Sequence, residues 1–466
     1  MSDARRRARQ IPSVHVLAEE LADCGLPHAL MVAVVRRRTE QLRASLDDGG
    51  PFPSGDEIRQ TVAADLHHLA RSRLQPVINA TGVLLHTNLG RAPLGSVAGD
   101  EIAALAGGYS NVELDLETGE RGGRGSFVET CAAVLAAADA AAVVNNCAAA
   151  LLLAIASHLD ETRREVVVSR GELVQIGGGF RIPEIIEAAG AQLREVGTTN
   201  QTTVDDYQAA VGPRTALVLA VHRSNFSMEG FVATPRRAEL ARVAHEAGLP
   251  LLVDLGSGAL APTDRAGALP HEPLPAEVLR DGATMVCFSG DKLAGGPQCG
   301  VLTGGQDAVG RCRQAPLYRA VRCGKLTLAA LQSTLLAHLE ARGDASEVDR
   351  LLHTPTDALR RRAQSLMTET RRAGNAVPAE VTVVASTGRV GGGTLPTAEL
   401  PSVALALADE RLPPQAILDR LRAASPPVIA RIGGGRVLVD LFAVLPEQDD
   451  ALCQAILSAL GPGDGD

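Results

Sequence analysis

Four short runs of aliphatic and β-branched residues recur through the middle of the chain: EVVVS (165–169), TALVLAV (215–221), LPLLVDLG (249–256) and ATMVCFS (283–289). Between them lie stretches with apolar residues at helical spacing, such as PRRAELARVAHEAG (235–248). Strands that are apolar at nearly every position, alternating with helices, predict an α/β fold with a mainly parallel sheet covered on both faces. Ahead of this zone the periodicity predicts short helices over Val14–Cys24, Pro27–Leu46 and Ser54–Arg73, interrupted by the turn-rich DDGGPFPSGD (47–56). After about residue 341 a long helix leads to EVTVVAS, PSVALALA and PPVIARIGGGRVLVDLF, with a closing helix from Pro446 to Leu460. That order, strand-strand-helix-strand-strand-helix, predicts a small α+β domain. The expected organisation is a helical zone over 1–70, a catalytic core over 76–340 and a C-terminal domain over 341–466, with no internal repeat.

A net charge of −9 at pH 7 gives no global pull toward nucleic acid, so any polyanion must meet a local patch. One such patch exists: residues 1–46 carry eight arginines (5, 6, 7, 9, 36, 37, 38 and 43) against five acids. On charge pattern alone Arg36–Arg38 reads equally as a solvated helix face. The eight cysteines form no CxxC pair and sit in apolar contexts, which predicts buried reduced thiols rather than disulfides or a metal centre. No apolar run approaches a membrane span and no secretory leader is evident, so a soluble cytoplasmic protein is expected.

The basic residues are almost all arginine; the only lysines are Lys292 and Lys325. Lys292 follows the strand-like ATMVCFS, and ligands of parallel sheets bind at the carboxyl ends of strands. An ammonium in a partly desolvated site can lose its proton and attack a carbonyl, which a guanidinium cannot. A lysine that forms a Schiff base there suggests pyridoxal phosphate, with Ser289 close to the same turn. That cofactor needs a carboxylate beside its pyridine nitrogen, and Asp254 stands at the end of LLVDLGSG. Its phosphate needs a helix N-terminus, and VVNNCAAALLLAIASHL offers Asn145, Asn146 and Cys147 at such an opening. His222, at the end of a third strand, is placed to contact the ring hydroxyl. Taken singly, Asn146 also reads as a plain N-cap and Asp254 as a buried loop cap.

The wording around these residues resembles bacterial selenocysteine synthase, L-seryl-tRNA(Sec) selenium transferase, a fold-type I pyridoxal phosphate family. The matching stretches include INATGVLLHTNLGRAPL (78–94), GYSNVELDLETGERGGRG (108–125), HRSNFSMEGF (222–231), VDLGSG (253–258), SGDKLAGGPQCG (289–300) and RIGGGRVLVDL (431–441). The resemblance implies that seryl-tRNA(Sec) becomes selenocysteinyl-tRNA(Sec) through a cofactor-bound aminoacrylyl species, with selenophosphate as donor and Lys292 as base for the seryl α-proton. Such an anionic donor calls for arginines. Arg91, Arg319 and Arg322 are the foremost candidates and Arg124 a further one. Lys325 falls in the same acid-free segment, 308–339, and reads as part of its anion site. The resemblance further implies a helical N-terminal domain that recognises tRNA by shape and phosphate contacts. It also implies a ring-shaped decamer of dimers with contacts through a threonine pair, here Thr198 and Thr199.

Two other readings compete. A lyase or aldolase-like relative would use the same cofactor on a small amino acid without tRNA, and a non-catalytic homologue would bind tRNA only. The basic N-terminal zone and the threonine pair oppose the first; Lys292, Asp254 and the arginines oppose the second. GDKLAGG is not a P-loop, because its glycines follow the lysine instead of preceding it.

Overall fold

A computed structural model describes residues 11–47, 53–264, 269–340, 346–373 and 379–461. The chain divides into two units, Met1–Pro76 and Val77–Asp466.

In the first unit the helices are Val14–Glu20, His28–Asp47 and Gly55–Arg71. Ser13 caps the first by accepting from the Val16 N–H, and Ser54 with Glu57 forms a capping box on the third. Ile58, Val62 and Leu66 recur at helical spacing and bury one stripe against Leu17, Met31 and Val35. Arg38 makes a two-pronged ion pair with Asp65, through Nε at 2.7 Å and Nη2 at 2.8 Å, whereas Arg36 and Arg37 are exposed. The basic triplet is therefore not one solvated face. The arginines at 5, 6, 7 and 9, and residues 48–52 of the turn-rich break, lie outside the described residues.

The second unit is built on a seven-stranded sheet. Its order is Ala140–Val144, Gly300–Gly304, Met285–Ser289, Leu251–Gly256, Thr215–Val221, Glu165–Ser169 and Gln192–Val196. All neighbours run parallel except Gly300–Gly304, which is antiparallel to both strands beside it. Side chains alternate between two buried cores: Val218, Val253 and Val286 enter one, Leu219, Leu252 and Cys287 the other. Burial on both faces explains why these strands read as continuous apolar runs. Each such side chain contributes about 2 kcal/mol.

A second, five-stranded sheet runs in the order Arg431–Gly433, Arg436–Asp440, Thr394–Asp409, Ala379–Gly391 and Val83–Leu85. Two departures from the sequence reading stand out. Val83–Leu85 pairs with the long strand Ala379–Gly391 and joins the five-stranded sheet, while Ile78–Asn79 forms a separate two-stranded sheet with Val428–Ile429, so the first residues after 76 pair with C-terminal strands. Two- and three-residue strands carry no pattern that names their partner. The expected long helix is two helices, Glu347–Leu352 and Thr356–Ala373, broken at Thr354–Pro355 because proline disfavours helical backbone before it. No helix among the described residues is long and apolar enough to cross a membrane.

Candidate active site

The register of the central strands brings the site together. Asp254 lies opposite Cys287 on the neighbouring strand, and Val221 lies opposite Asp254 on the other side. The His222 N–H donates to the Asp254 carbonyl at 2.8 Å, which fixes the histidine at the end of its strand. The turn that carries Lys292 is pinned from two sides. Ala92 N donates to the Asp291 carbonyl at 3.3 Å, and Leu293 N donates to the Ser257 carbonyl at 3.1 Å. Three segments far apart in the chain thus meet at the lysine.

Lys292 is buried, and desolvation pushes its amine below the ordinary lysine value, opposed by Cys147 and Asp254. Among the described residues its Nζ makes no hydrogen bond. Asp254 is also buried; burial raises its carboxyl, opposed by the Cys147 thiol, whose Sγ stands 3.4 Å from Asp254 Oδ1, and by Lys292. Gly256 has a φ of +65°, and a Cβ there would lie 3.5 Å from Ser224 Oγ and 4.0 Å from both Asp254 Oδ1 and Lys292 Nζ. A carboxylate, an amine and a hydroxyl therefore lie within 4.0 Å of one point beside Gly256, whose positive φ favours glycine there. Among the described residues Ser224 Oγ, buried there, has no hydrogen-bond partner. The geometry fits pyridoxal phosphate: an acid for the ring nitrogen, an amine for the aldehyde and a polar orphan between them.

The helix Cys147–Ala156 opens directly after the strand Ala140–Val144, with Asn146 as N-cap accepting from Ala149 N at 2.8 Å. The plain cap reading of Asn146 therefore holds, and it leaves the first N–H groups of the helix for an anion. Asn145 N donates to the Val321 carbonyl at 2.8 Å, and Val144 bridges Arg322, so the 316–322 segment lies alongside this terminus. Ser289 is buried at the end of its strand. His222 Nε2 sits 2.9 Å from Glu272 Oε1, a partner the sequence reading did not foresee.

Most of the candidate arginines are already engaged. Arg91, with a φ of +65°, turns its Nη1 to Asp291 Oδ2 at 2.7 Å. Arg124 and Arg322 both reach Glu113 Oε1, at 2.8 and 3.1 Å, and Arg121 pairs with the other oxygen of the same carboxylate. Glu113 is held below the usual carboxylate range, first by the Arg124 hydrogen bond. Arg319 is exposed and makes no ion pair among the described residues. Glu113 and Asp291 both lie in the quoted motifs, but nothing in their spacing reveals which arginine each holds. Lys325 differs from its expected anion role: Nζ donates to the Leu105 and Gly108 carbonyls, at 2.9 and 2.6 Å. Carbonyls left over at the C-terminal end of the helix Ser96–Ala106 attract a cation, and Lys325 supplies it. Thr198 and Thr199 are both exposed, and the Thr198 hydroxyl donates to the nearby Gln201 carbonyl at 3.0 Å.

Known proteins resemble this chain closely. The family described as L-seryl-tRNA selenium transferase matches residues 77–445. The L-seryl-tRNA(Sec) selenium transferase of Geobacter sulfurreducens is 43% identical, covering 97% of this chain and 98% of the relative. That of Moorella thermoacetica is 40% identical over 98% of each chain, and that of Aquifex aeolicus 38% identical over 94% and 96%. Among solved structures, D-glucosaminate-6-phosphate ammonia-lyase superposes with a TM-score of 0.58 at 18% identity, covering 83% of this chain and 96% of that one. At that identity the likeness is one of fold.

Proposed function

The chain belongs to the L-seryl-tRNA selenium transferase family, and we propose the residue roles by which it works. It is a pyridoxal phosphate enzyme of fold type I that converts seryl-tRNA(Sec) to selenocysteinyl-tRNA(Sec). The observation that carries the assignment of roles is the convergence of Asp254 Oδ1, Lys292 Nζ and Ser224 Oγ on the space beside Gly256.

Bound pyridoxal phosphate supplies an electron sink joined to the seryl nitrogen. Lys292 would anchor the cofactor and serve as the base for the seryl α-proton; burial pushes its amine below the ordinary lysine value, which favours the neutral form that this work needs. Asp254 holds a proton at the pyridine nitrogen. Burial raises its own carboxyl, and the Cys147 thiol 3.4 Å away opposes that rise, so Asp254 would be able to serve as the anionic partner of that nitrogen. The N–H groups at the start of Cys147–Ala156, with Asn145 and Asn146, receive the phosphate. Ser289 and His222 border the ring, and Glu272 fixes the orientation of the His222 imidazole. Arg91, Arg319 and Arg322, with Arg124 behind them, hold selenophosphate and aim its selenium at the β-carbon from which the seryl hydroxyl leaves as water.

The helical unit Met1–Pro76, with exposed Arg36 and Arg37, is the tRNA-binding part. The exposed Thr199 marks a contact between dimers in a decamer. Light scattering of Thr199→Arg checks this: dimers support it, and an undisturbed large ring rejects it.

The decisive experiment compares wild type with Lys292→Ala and Lys292→Arg. Both variants lose the visible band of the lysine-bound cofactor and the conversion of seryl-tRNA(Sec), while circular dichroism stays unchanged. A variant that still turns over rejects Lys292 as anchor and base. The unit is tested by deleting residues 1–76: the cofactor band stays and the preference for tRNA(Sec) over tRNA(Ser) disappears.

A further inference from the structure

Two thiols stand beside the cofactor carboxylate. Cys287 is Asp254's register partner on the adjacent parallel strand, and Cys147 opens the helix that starts above them. Cys147 Sγ is 3.4 Å from Asp254 Oδ1, and the two sulfurs and a carboxylate oxygen all lie within 4.8 Å of one another. Among the described residues this is the one group of three or more His, Cys, Asp or Glu donors so arranged. We propose that in the cofactor-free chain Cys147, Cys287 and Asp254 bind one thiophilic divalent cation of the zinc or cadmium type.

The spacing suits such an ion. Tetrahedral coordination with metal–sulfur bonds of about 2.3 Å and metal–oxygen bonds of about 2.0 Å separates sulfur from oxygen by about 3.5 Å. Two sulfurs select a soft cation over magnesium or calcium, which prefer oxygen alone. Charge also balances: two thiolates and a carboxylate carry three negative charges, offset by the dication and the Lys292 ammonium. Binding releases the two thiol protons to solvent and involves no electron transfer, so affinity rises with pH. Asp254 and Cys287 are buried on neighbouring central strands, and Cys147 opens the helix beside them, so the three donors are already gathered by the fold. Because Asp254 is shared, cation and cofactor exclude each other; this part rests on the cofactor role given to Asp254 above. The sequence hides the group, since its members lie at 147, 254 and 287 with no metal-ligand spacing.

The test titrates the full-length chain, freed of cofactor, with cadmium chloride and follows the ultraviolet thiolate-to-cadmium band. One equivalent saturates it. Cys147→Ser and Cys287→Ser each weaken binding by at least about tenfold, with circular dichroism confirming that the variants are folded. Protein preloaded with pyridoxal phosphate shows no band at the same cadmium concentration. A band of full height in the Cys147→Ser/Cys287→Ser double variant overturns the site. A band that is lost in the double variant but full in the cofactor-loaded wild type overturns the mutual exclusion, and with it the cofactor role of Asp254, while leaving the cation site standing.

Discussion

Arg91 Nη1 donates to Asp291 Oδ2 at 2.7 Å across 200 positions of sequence, and Asp291 is the residue immediately before Lys292. The pair acts on the lysine twice. It ties the NLGRAP loop to the lysine turn, and it cancels a negative charge that would otherwise hold the lysine protonated.

Arg91→Ala removes both effects. Asp291 then faces Lys292 uncompensated, and Arg91's own repulsion is gone, so the amine's pKa rises. The pH at which the cofactor band and the turnover appear shifts upward, as a spectrophotometric titration will show. Stability falls by roughly 2 kcal/mol, less than for a fully buried pair because the Arg91 side chain is 28% exposed. Arg91→Lys restores the charge and part of the shift.

Glu172 is a second pH-sensitive point. It lies within the 3-10 turn Arg170–Glu172, accepts from Val221 N at 3.0 Å, and is pushed by burial up to about 7. Its folded value is raised, so the native state holds this proton more tightly than the unfolded chain does. The resulting stability is present at pH below about 4.5 and is lost as pH climbs through about 7, by at most about 3 kcal/mol. Glu172→Gln keeps an acceptor for the Val221 N–H and flattens this loss. Denaturant melts of both proteins between pH 5 and 8, a window spanning about the raised value, will read it directly.

Lys325 is structural. Lys325→Met deprives the Leu105 and Gly108 carbonyls of their ammonium donor, and stability falls by about 1–2 kcal/mol in thermal melts. The KM for selenophosphate stays within about twofold, because the ammonium is already committed to backbone oxygens. A large rise in that KM would return Lys325 to the anion site.

The arginines separate by their partners. Arg319, without an ion pair among the described residues, is free to meet the donor, whereas Arg124 is bound to Glu113 and to the Cys323 carbonyl. Arg319→Ala therefore raises the KM for selenophosphate about tenfold and leaves that for seryl-tRNA(Sec) nearly unchanged. Arg124→Ala changes it less and acts on stability, because the Glu113 cluster loses one of its three guanidiniums.

Strand identity and the helical zone before residue 76 were legible in the sequence, because each is written in residue type or local period, and the lysine stood out among arginines. A strand buried on both faces must be apolar throughout, and a position that needs a deprotonatable amine cannot be arginine. The family wording around Lys292 carried the chemistry. The tertiary structure alone decided which charge meets which: Arg91 with Asp291, three arginines on Glu113, His222 with Glu272, and Lys325 on the end of a helix. It also decided that Val83–Leu85 completes the C-terminal sheet and that Cys147 and Cys287 flank Asp254. These pairings depend on strand register and on loops brought together across tens to hundreds of residues. Side chains act over a few ångströms, and a linear sequence does not record those distances.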